Sequence, residues 1–342
     1  MSRSPVISLQ TLAVGAAGAL LAWAVSAPVY VLLGPALAVS VFGLSGQSMG
    51  IAPNLRNACF VILGITVGAG FNEDALGAML RWPVAFVFMA LVIWGIVMAC
   101  RWLLVRSFGF DARSALLASA PGHLSFVVAM AHETGSDVAR ISVVQSVRLL
   151  ALTIVVPFVA MAMGIDVSGS IAPSGAAMPL WHLPLVIGAA VLVGLLFGRL
   201  NVPVPLLLGA MVTSAVGHLS GITPGVLPIW LVMPAYLVLG SLIGTRFSGV
   251  PMARFASGLS AGVAITVVAV SLAGIASVPV AWALGIPLAH VLIAFAPGGL
   301  ETMIAMAAVL GVVPGFVAAC HIARLLVLSV LLPAMLGRQP NP

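Results

Sequence analysis

Charge is what this chain has least of. Asp, Glu, Lys and Arg make up 6% of its 342 residues, and lysine is missing altogether, so that all 13 basic residues are arginine. No polar stretch is long enough for a soluble domain, which sets aside DNA-binding, kinase and solute-binding modules. The missing lysine, beside abundant alanine and glycine, reads as compositional bias rather than chemistry. Cysteine is also scarce. Cys59, Cys100 and Cys320 lie singly in apolar runs, with neither metal-ligand spacing nor a disulfide framework. The six histidines, His123, His132, His182, His218, His290 and His321, are dispersed, and only His132 adjoins a carboxylate, that of Glu133. The copper or iron centre of a membrane oxygenase needs such ligands clustered, so that class is disfavoured and no metal or other cofactor is expected.

What the chain does have is hydrophobic sequence, 62% of the residues, in runs that repeat along nearly its whole length. The expectation is an all-α integral membrane protein with multiple spans in a bacterial inner membrane. The formal charge of +6 then belongs to loops touching anionic headgroups rather than to a nucleic-acid surface. The N-terminal run ends in Val25-Ser26-Ala27 and could pass for a cleaved signal, but Pro28 follows directly and an apolar segment recurs at the corresponding place near 181–199. It is read as a retained helix. Trp23, Trp82, Trp102, Trp181 and Trp230 lie near run ends, as an aromatic belt requires.

The chain also repeats itself. Ala120-Pro121-Gly122-His123-Leu124 returns as Ala296-Pro297-Gly298-Gly299-Leu300, 176 residues later. At the same displacement Gly64, Gly68 and Phe71 match Gly240, Gly244 and Phe247, Gly135 matches Gly311, Arg148-Leu149-Leu150 matches Arg324-Leu325-Leu326, and Pro157 matches Pro333. Leu32-Leu33-Gly34 matches Leu207-Leu208-Gly209 at 175. Two halves sharing their helix breakers and one arginine are two copies of a membrane unit, at 1–163 and 181–342, joined by a Gly-, Ser-, Ala- and Pro-rich loop at 164–180.

The first copy has apolar runs at 8–26, 29–44, 57–71, 82–105, 112–134 and 138–163; the second at 181–199, 203–218, 228–245, 255–277, 281–310 and 315–336. The fifth run of each is interrupted by Ala-Pro-Gly, which breaks a helix, so it should form two half-helices. If this element crosses the membrane, the copies are parallel with six spans each. Arg81, Arg140, Arg199, Arg246 and Arg254 then fall outside, leaving six interfacial arginines inside against five outside. If it re-enters and turns back, each copy has five spans and the second is upside down. Ten arginines (Arg3, Arg56, Arg101, Arg106, Arg113, Arg140, Arg199, Arg246, Arg254 and Arg338) then lie inside and only Arg81 outside. The positive-inside rule selects two inverted repeats, about ten transmembrane helices and two broken re-entrant helical hairpins.

The candidate site follows from the breaks. Arg148 and Arg324 stand near the middle of the last run of each copy, where a charge costs about 2.5–3.5 kcal/mol on insertion scales and must find a partner or a cavity. They either cap carbonyls released at the Pro-Gly breaks or bind an anion, and the two roles are compatible. One turn earlier stand Gln145 and His321, on the same helix face. After Gly122 and Gly298 new half-helices begin, with unpaired N–H groups and a positive dipole end directed into the membrane centre. Glu301 lies just inside the second, either as ordinary capping or as proton carrier or counter-ion to Arg324; His123 is an additional polar ligand. Pro121, Gly122, His123, Gln145, Arg148, Pro297, Gly298, Gly299, Glu301, His321 and Arg324 form the candidate substrate-binding set. Glu133, Asp137 and Arg140 close the first hairpin, either as a gate or as a surface ion pair, whereas Glu73, Asp74, Asp111 and Arg113 read as interfacial loop charges.

Through Ala120-Pro121-Gly122-His123, Gly135, Asp137, Gln145, Arg148-Leu149-Leu150 and Pro157, and again through Ala296 to Glu301, His321 and Arg324, the chain resembles the AbrB duplication family of bacterial membrane proteins. His123 departs from the Pro-Gly-Gly usual in that family's first half. Its members carry labels such as ammonia monooxygenase or regulator of gene expression. The arrangement is similar, more distantly, to the cation/proton antiporter and bile-acid symporter superfamily.

Duplication, broken elements and midplane charges together point to a secondary-transporter-like protein moving a small organic anion with a proton or another ion, not an enzyme. The alternative is a non-transporting membrane sensor that affects gene expression indirectly, because no basic helix is available to contact DNA. The expected partners are the lipid bilayer and a small anionic solute, with no nucleic acid and with a homodimer left open.

Overall fold

The computed structural model describes residues 5–71, 82–122, 124–165 and 175–336. Arg3, Glu73, Asp74, Arg81, His123 and Arg338, all used in the reading above, lie outside the described residues, as does most of the loop expected at 164–180. Among the described residues the structure is all-helical, with one isolated bridge between Ala177 and Val226. Seven helices are long and apolar enough to cross a membrane.

The helices come in two series. The first is α1 (Pro5–Ala24), α2 (Tyr30–Leu44), α3 (Pro53–Gly68), α4 (Trp82–Phe108), α5 (Ala112–Ser119), α6 (Leu124–Glu133) and α7 (Val138–Ala162). The second is α8 (His182–Arg199), α9 (Pro205–Leu219), α10 (Ile229–Gly244), α11 (Met252–Leu284), α12 (Leu288–Phe295), α13 (Leu300–Val309) and α14 (Pro314–Leu336). The fifth run of each half is indeed two short helices, of 8 and 10 residues in both cases. The turn before α2 and that before α9 carry the same unusual backbone: Ser26 and Val29 have φ of 54° and 50°, Asn201 and Val204 of 56° and 44°. A β-branched residue is strained at positive φ, so the surrounding bundle must hold these valines there.

One boundary differs from expectation. The fifth run of the second half was expected to begin at 281, but α11 continues through Pro279 to Leu284 and stops at Gly285, which adopts φ of 66°. Apolar sequence on both sides hides the end of a helix, whereas the left-handed cap marks it.

The chain divides into two compact units, each built from both halves. One comprises Met1–Met79, Thr153–Gly249 and Ile304–Gly315; the other comprises Leu80–Leu152, Val250–Met303 and Phe316–Pro342. Helices α7, α13 and, by its first two residues, α14 run across the division.

Glycine sets the spacing of the first unit. Gly18 lies against the Gly34 backbone between α1 and α2, and Gly194 against Gly209 between α8 and α9. A Cβ on Gly64 of α3 would collide with the Leu207 carbonyl of α9, and one on Gly240 of α10 with the Leu32 carbonyl of α2. Small residues let membrane helices approach closely where lipid gives no hydrophobic drive to do so. In the second unit α11 packs on α4 and α7, with Gly258 and Gly262 seated against Val143 and Val147. Trp82, expected in the aromatic belt, is instead 6% exposed and packs on Phe316 with ring centroids 5.5 Å apart. Trp23, Trp102, Trp181 and Trp230 are all exposed.

Candidate functional site

All the described residues of the candidate set fall in the second unit. Each hairpin begins as a short helix that stops because proline follows. Ala120 and Ala296 precede prolines and take extended ψ of 117° and 130°, the conformation a following proline imposes. The last carbonyls of α5 and α12 are thereby left without helical partners in a buried setting, where each unmade bond costs about 1–3 kcal/mol.

Side chains from α7 and α14 supply the donors. Gln145 Nε2 donates to the carbonyls of Leu117 at 3.0 Å, Ala118 at 3.4 Å and Ala120 at 3.0 Å. Arg148 Nη2 donates to Ala120 O at 3.1 Å and also to Gln145 Oε1. In the second hairpin Arg324 Nη1 donates to Ala296 O at 2.8 Å and Nη2 to Gly298 O at 2.7 Å. The capping alternative for the arginines is therefore realised in both halves, and a cation at the negative end of each first half-helix is also favoured by its dipole.

Capping does not exhaust these groups. A guanidinium has five N–H donors. Arg148 is 1% and Arg324 2% exposed, yet Nε of each has no hydrogen-bond partner among the described residues. His321 is fully buried and differs from Gln145 in its bonding. Its Nδ1 lies 2.9 Å from Val317 O in its own helix, which places the proton on Nδ1 and leaves the Nε2 lone pair without a partner among the described residues.

The two breaks also meet the opposite arginine helix. Gly122 is seated against Leu325 and Leu328 of α14, and Gly299 against Leu149 of α7. Leu149 and Leu325 directly follow the arginines, so breaks and guanidiniums are gathered in one place. Pro121, Pro297 and Gly298 are buried there. Leu149 and Leu325 belong to the repeated Arg-Leu-Leu, which marks the pair in the sequence without saying what the leucines touch. Glu301 occupies the first turn of α13, half-buried. Arg324 turns to the carbonyls rather than to this carboxylate, so the counter-ion arrangement is not formed; the capping position remains.

The mouth of the first hairpin is corrected as well. Asp137 Oδ1 accepts the Arg140 N–H at the start of α7, while the Arg140 side chain donates to Phe108 O at 2.6 Å and Gly109 O at 3.2 Å and covers the Phe110 ring at 3.7 Å. Arg140 thus caps α4 instead of pairing with Glu133 or Asp137. Among the described residues no three His, Cys, Asp or Glu side chains are grouped so as to hold a metal ion. An apolar groove of about 520 Å³ in the first unit, lined by Leu20, Trp23, Tyr30 and Met233 among others, contains none of the candidate residues.

The chain is 28% identical over 297 residues to the uncharacterized protein YhjN of Bacillus subtilis (strain 168), covering 80% of this chain and 75% of that one. It is 28% identical over 239 residues to a protein of Escherichia coli (strain K12) provisionally named regulator AbrB, covering 66% of this chain and 65% of that one. The family model described as transition state regulatory protein AbrB matches residues 31–338, and the chain belongs to that AbrB family.

Proposed function

We propose that this protein is a secondary transporter of the inner membrane that moves a small organic anion, coupled to a proton, through a site at the two Pro-Gly breaks. The observation that carries the reading is the pair of buried guanidiniums, each tied to a break and each with an Nε–H that has no partner among the described residues. A buried cation needs a compensating charge, and a transported anion supplies one. The free N–H groups at the starts of α6 and α13 add donors without adding charged side chains. Glu301, beside the second break, takes the coupling proton.

Helix directions in the first unit support inverted copies with re-entrant hairpins. Gly64 faces Leu207 and Gly68 faces Met211, so α3 and α9 run parallel. The chain turns from α2 into α3 through residues whose N–H groups, Gly50 and Ala52, bond to Thr11 and Ser8 near the start of α1, so α3 begins where α2 ends. Helices α2 and α9 carry the same Leu-Leu-Gly and on this count point in opposite directions. Alternating access would then move the unit holding both breaks as a body.

The test is uptake of organic acids by proteoliposomes under an inward proton gradient. Gradient-driven uptake that falls at least about tenfold in Arg324→Gln, with the variant still monodisperse, is expected. Equal flux in the two proteins removes the named site. A sensor that binds an anion without moving it is the second reading, favoured by the regulator name of the Escherichia coli relative; retained binding without flux would select it.

A further inference from the structure

We infer that the ligand is a doubly charged anion, a dicarboxylate or an inorganic oxyanion of charge −2, with one guanidinium serving each end of its charge. This rests on the reading above for the existence of the site and goes beyond it in naming the ligand class.

The argument begins with charge. Arg148 and Arg324 are buried in one unit, and each is tied to a break that is seated on the other's helix. Like charges in a low-dielectric interior repel far more strongly than in water. The partners they have do not cancel this, because Ala120, Ala296 and Gly298 offer carbonyls and Gln145 an amide, which carry dipoles but no net charge. Among the described residues neither guanidinium is paired with a carboxylate. With Glu301 holding the coupling proton assigned to it above, a singly charged ligand would compensate one cation and leave the other.

Geometry supplies the second strand. Each guanidinium is anchored to its own break, yet each break is seated on the opposite arginine helix, Gly122 on Leu325 and Gly299 on Leu149. The site therefore has two cationic stations, each with a buried Nε–H that has no partner among the described residues and each beside the start of a ten-residue helix. A guanidinium binds carboxylate or oxyanion oxygens in a forked arrangement, and two stations match two carboxylates or two faces of one oxyanion.

The experiment measures binding to the purified full-length protein in nanodiscs. Succinate is compared with butyrate, which has the same carbon count and one carboxylate fewer, and sulfate with chloride. A preference of about tenfold or more for either dianion over its singly charged counterpart is expected, that is, about 1.4 kcal/mol. The succinate arm identifies a dicarboxylate and the sulfate arm an inorganic oxyanion. Arg148→Gln and Arg324→Gln each remove one charge while keeping an amide that can serve the freed carbonyl, as Gln145 does; each should bring the preference toward parity. Equal binding of both members of both pairs overturns the inference, as does a preference that neither variant alters. If a variant does not fold, the wild-type comparison decides by itself. Dianion preference without flux would sink transport and leave this inference standing, whereas butyrate flux without any dianion preference would do the reverse.

Discussion

Cys59 donates its thiol to the carbonyl of Ala235 at 3.1 Å, and the two are 176 residues apart, the displacement at which the chain repeats itself. Position 59 thus touches its own counterpart. In two copies related by a two-fold, only positions at the axis can do so. The neighbouring contacts are reciprocal: α3 rests on α9 through Gly64 and α10 on α2 through Gly240. These contacts favour the inverted copies proposed above.

Close approach at these glycines makes the first prediction. Gly64→Ala and Gly240→Ala each push a methyl into backbone that cannot yield, and each should destabilise the protein by about 1–3 kcal/mol. Gly95→Ala is the control. Gly95 lies in α4 with nothing within 4 Å of a built Cβ, so the substitution should be neutral or slightly stabilising. Thermal unfolding in detergent measures all three, and indifference at positions 64 and 240 would show that the helices are not held at that spacing.

Gln145 offers a test of the capping geometry. Gln145→Leu leaves the carbonyls of Leu117 and Ala118 without their side-chain donor, at a cost of about 1–3 kcal/mol, and frees one donor of Arg148. Gln145→His should cost less, because an imidazole N–H can donate to one of the freed carbonyls whereas leucine cannot. Comparing thermal midpoints of the two variants checks the ordering.

Asp111 caps α5 from the loop after α4, accepting from the backbone N–H groups of Arg113 and Ser114 at 3.0 and 2.9 Å. Partial burial pulls its carboxyl upward, but the Ser114 hydroxyl and these backbone donors outweigh that and hold it below the usual carboxylate range. A depressed acid stabilises the folded state above its unfolded pKa, about 3.9, and loses that contribution as pH falls through the lower folded value. Asp111→Ala should therefore cost about 1 kcal/mol near neutral pH, with the gap to wild type closing in acid. A gap that stays constant into acid would contradict the charged cap.

Topology can be read by labelling. In a cysteine-free background, Arg199→Cys and Arg246→Cys should react only with membrane-permeant reagents if the hairpins re-enter. External labelling of both positions would mean that the hairpins cross and that the copies are parallel.

Much of the helical layout was legible because apolar runs in this chain have few ways to end. Most of the expected runs match helices within a few residues, and the Ala-Pro-Gly interruptions produce the half-helices they demanded. Where one helix passes from one expected run into the next, as α11 does through Pro279 to Leu284, apolar sequence on both sides left its end unmarked. Arg140 was misread for a related reason. Its partners are the carbonyls of Phe108 and Gly109, 32 and 31 residues away, while the acids beside it in sequence attracted the pairing argument.

The amino-acid order alone determined that this is a membrane-type helical protein made of two like halves, because hydrophobic length and recurring breakers are local properties of a chain. It also singled out Arg148 and Arg324, because an isolated charge in an apolar run is costly wherever the run ends up. Only the tertiary structure decided what those arginines do with their donors and that both breaks lie against each other's arginine helix. It likewise decided that each compact unit draws helices from both halves. These are facts about which residues meet across long separations, and a pattern of breakers and charges does not encode which of several chemically equal neighbours a helix will choose.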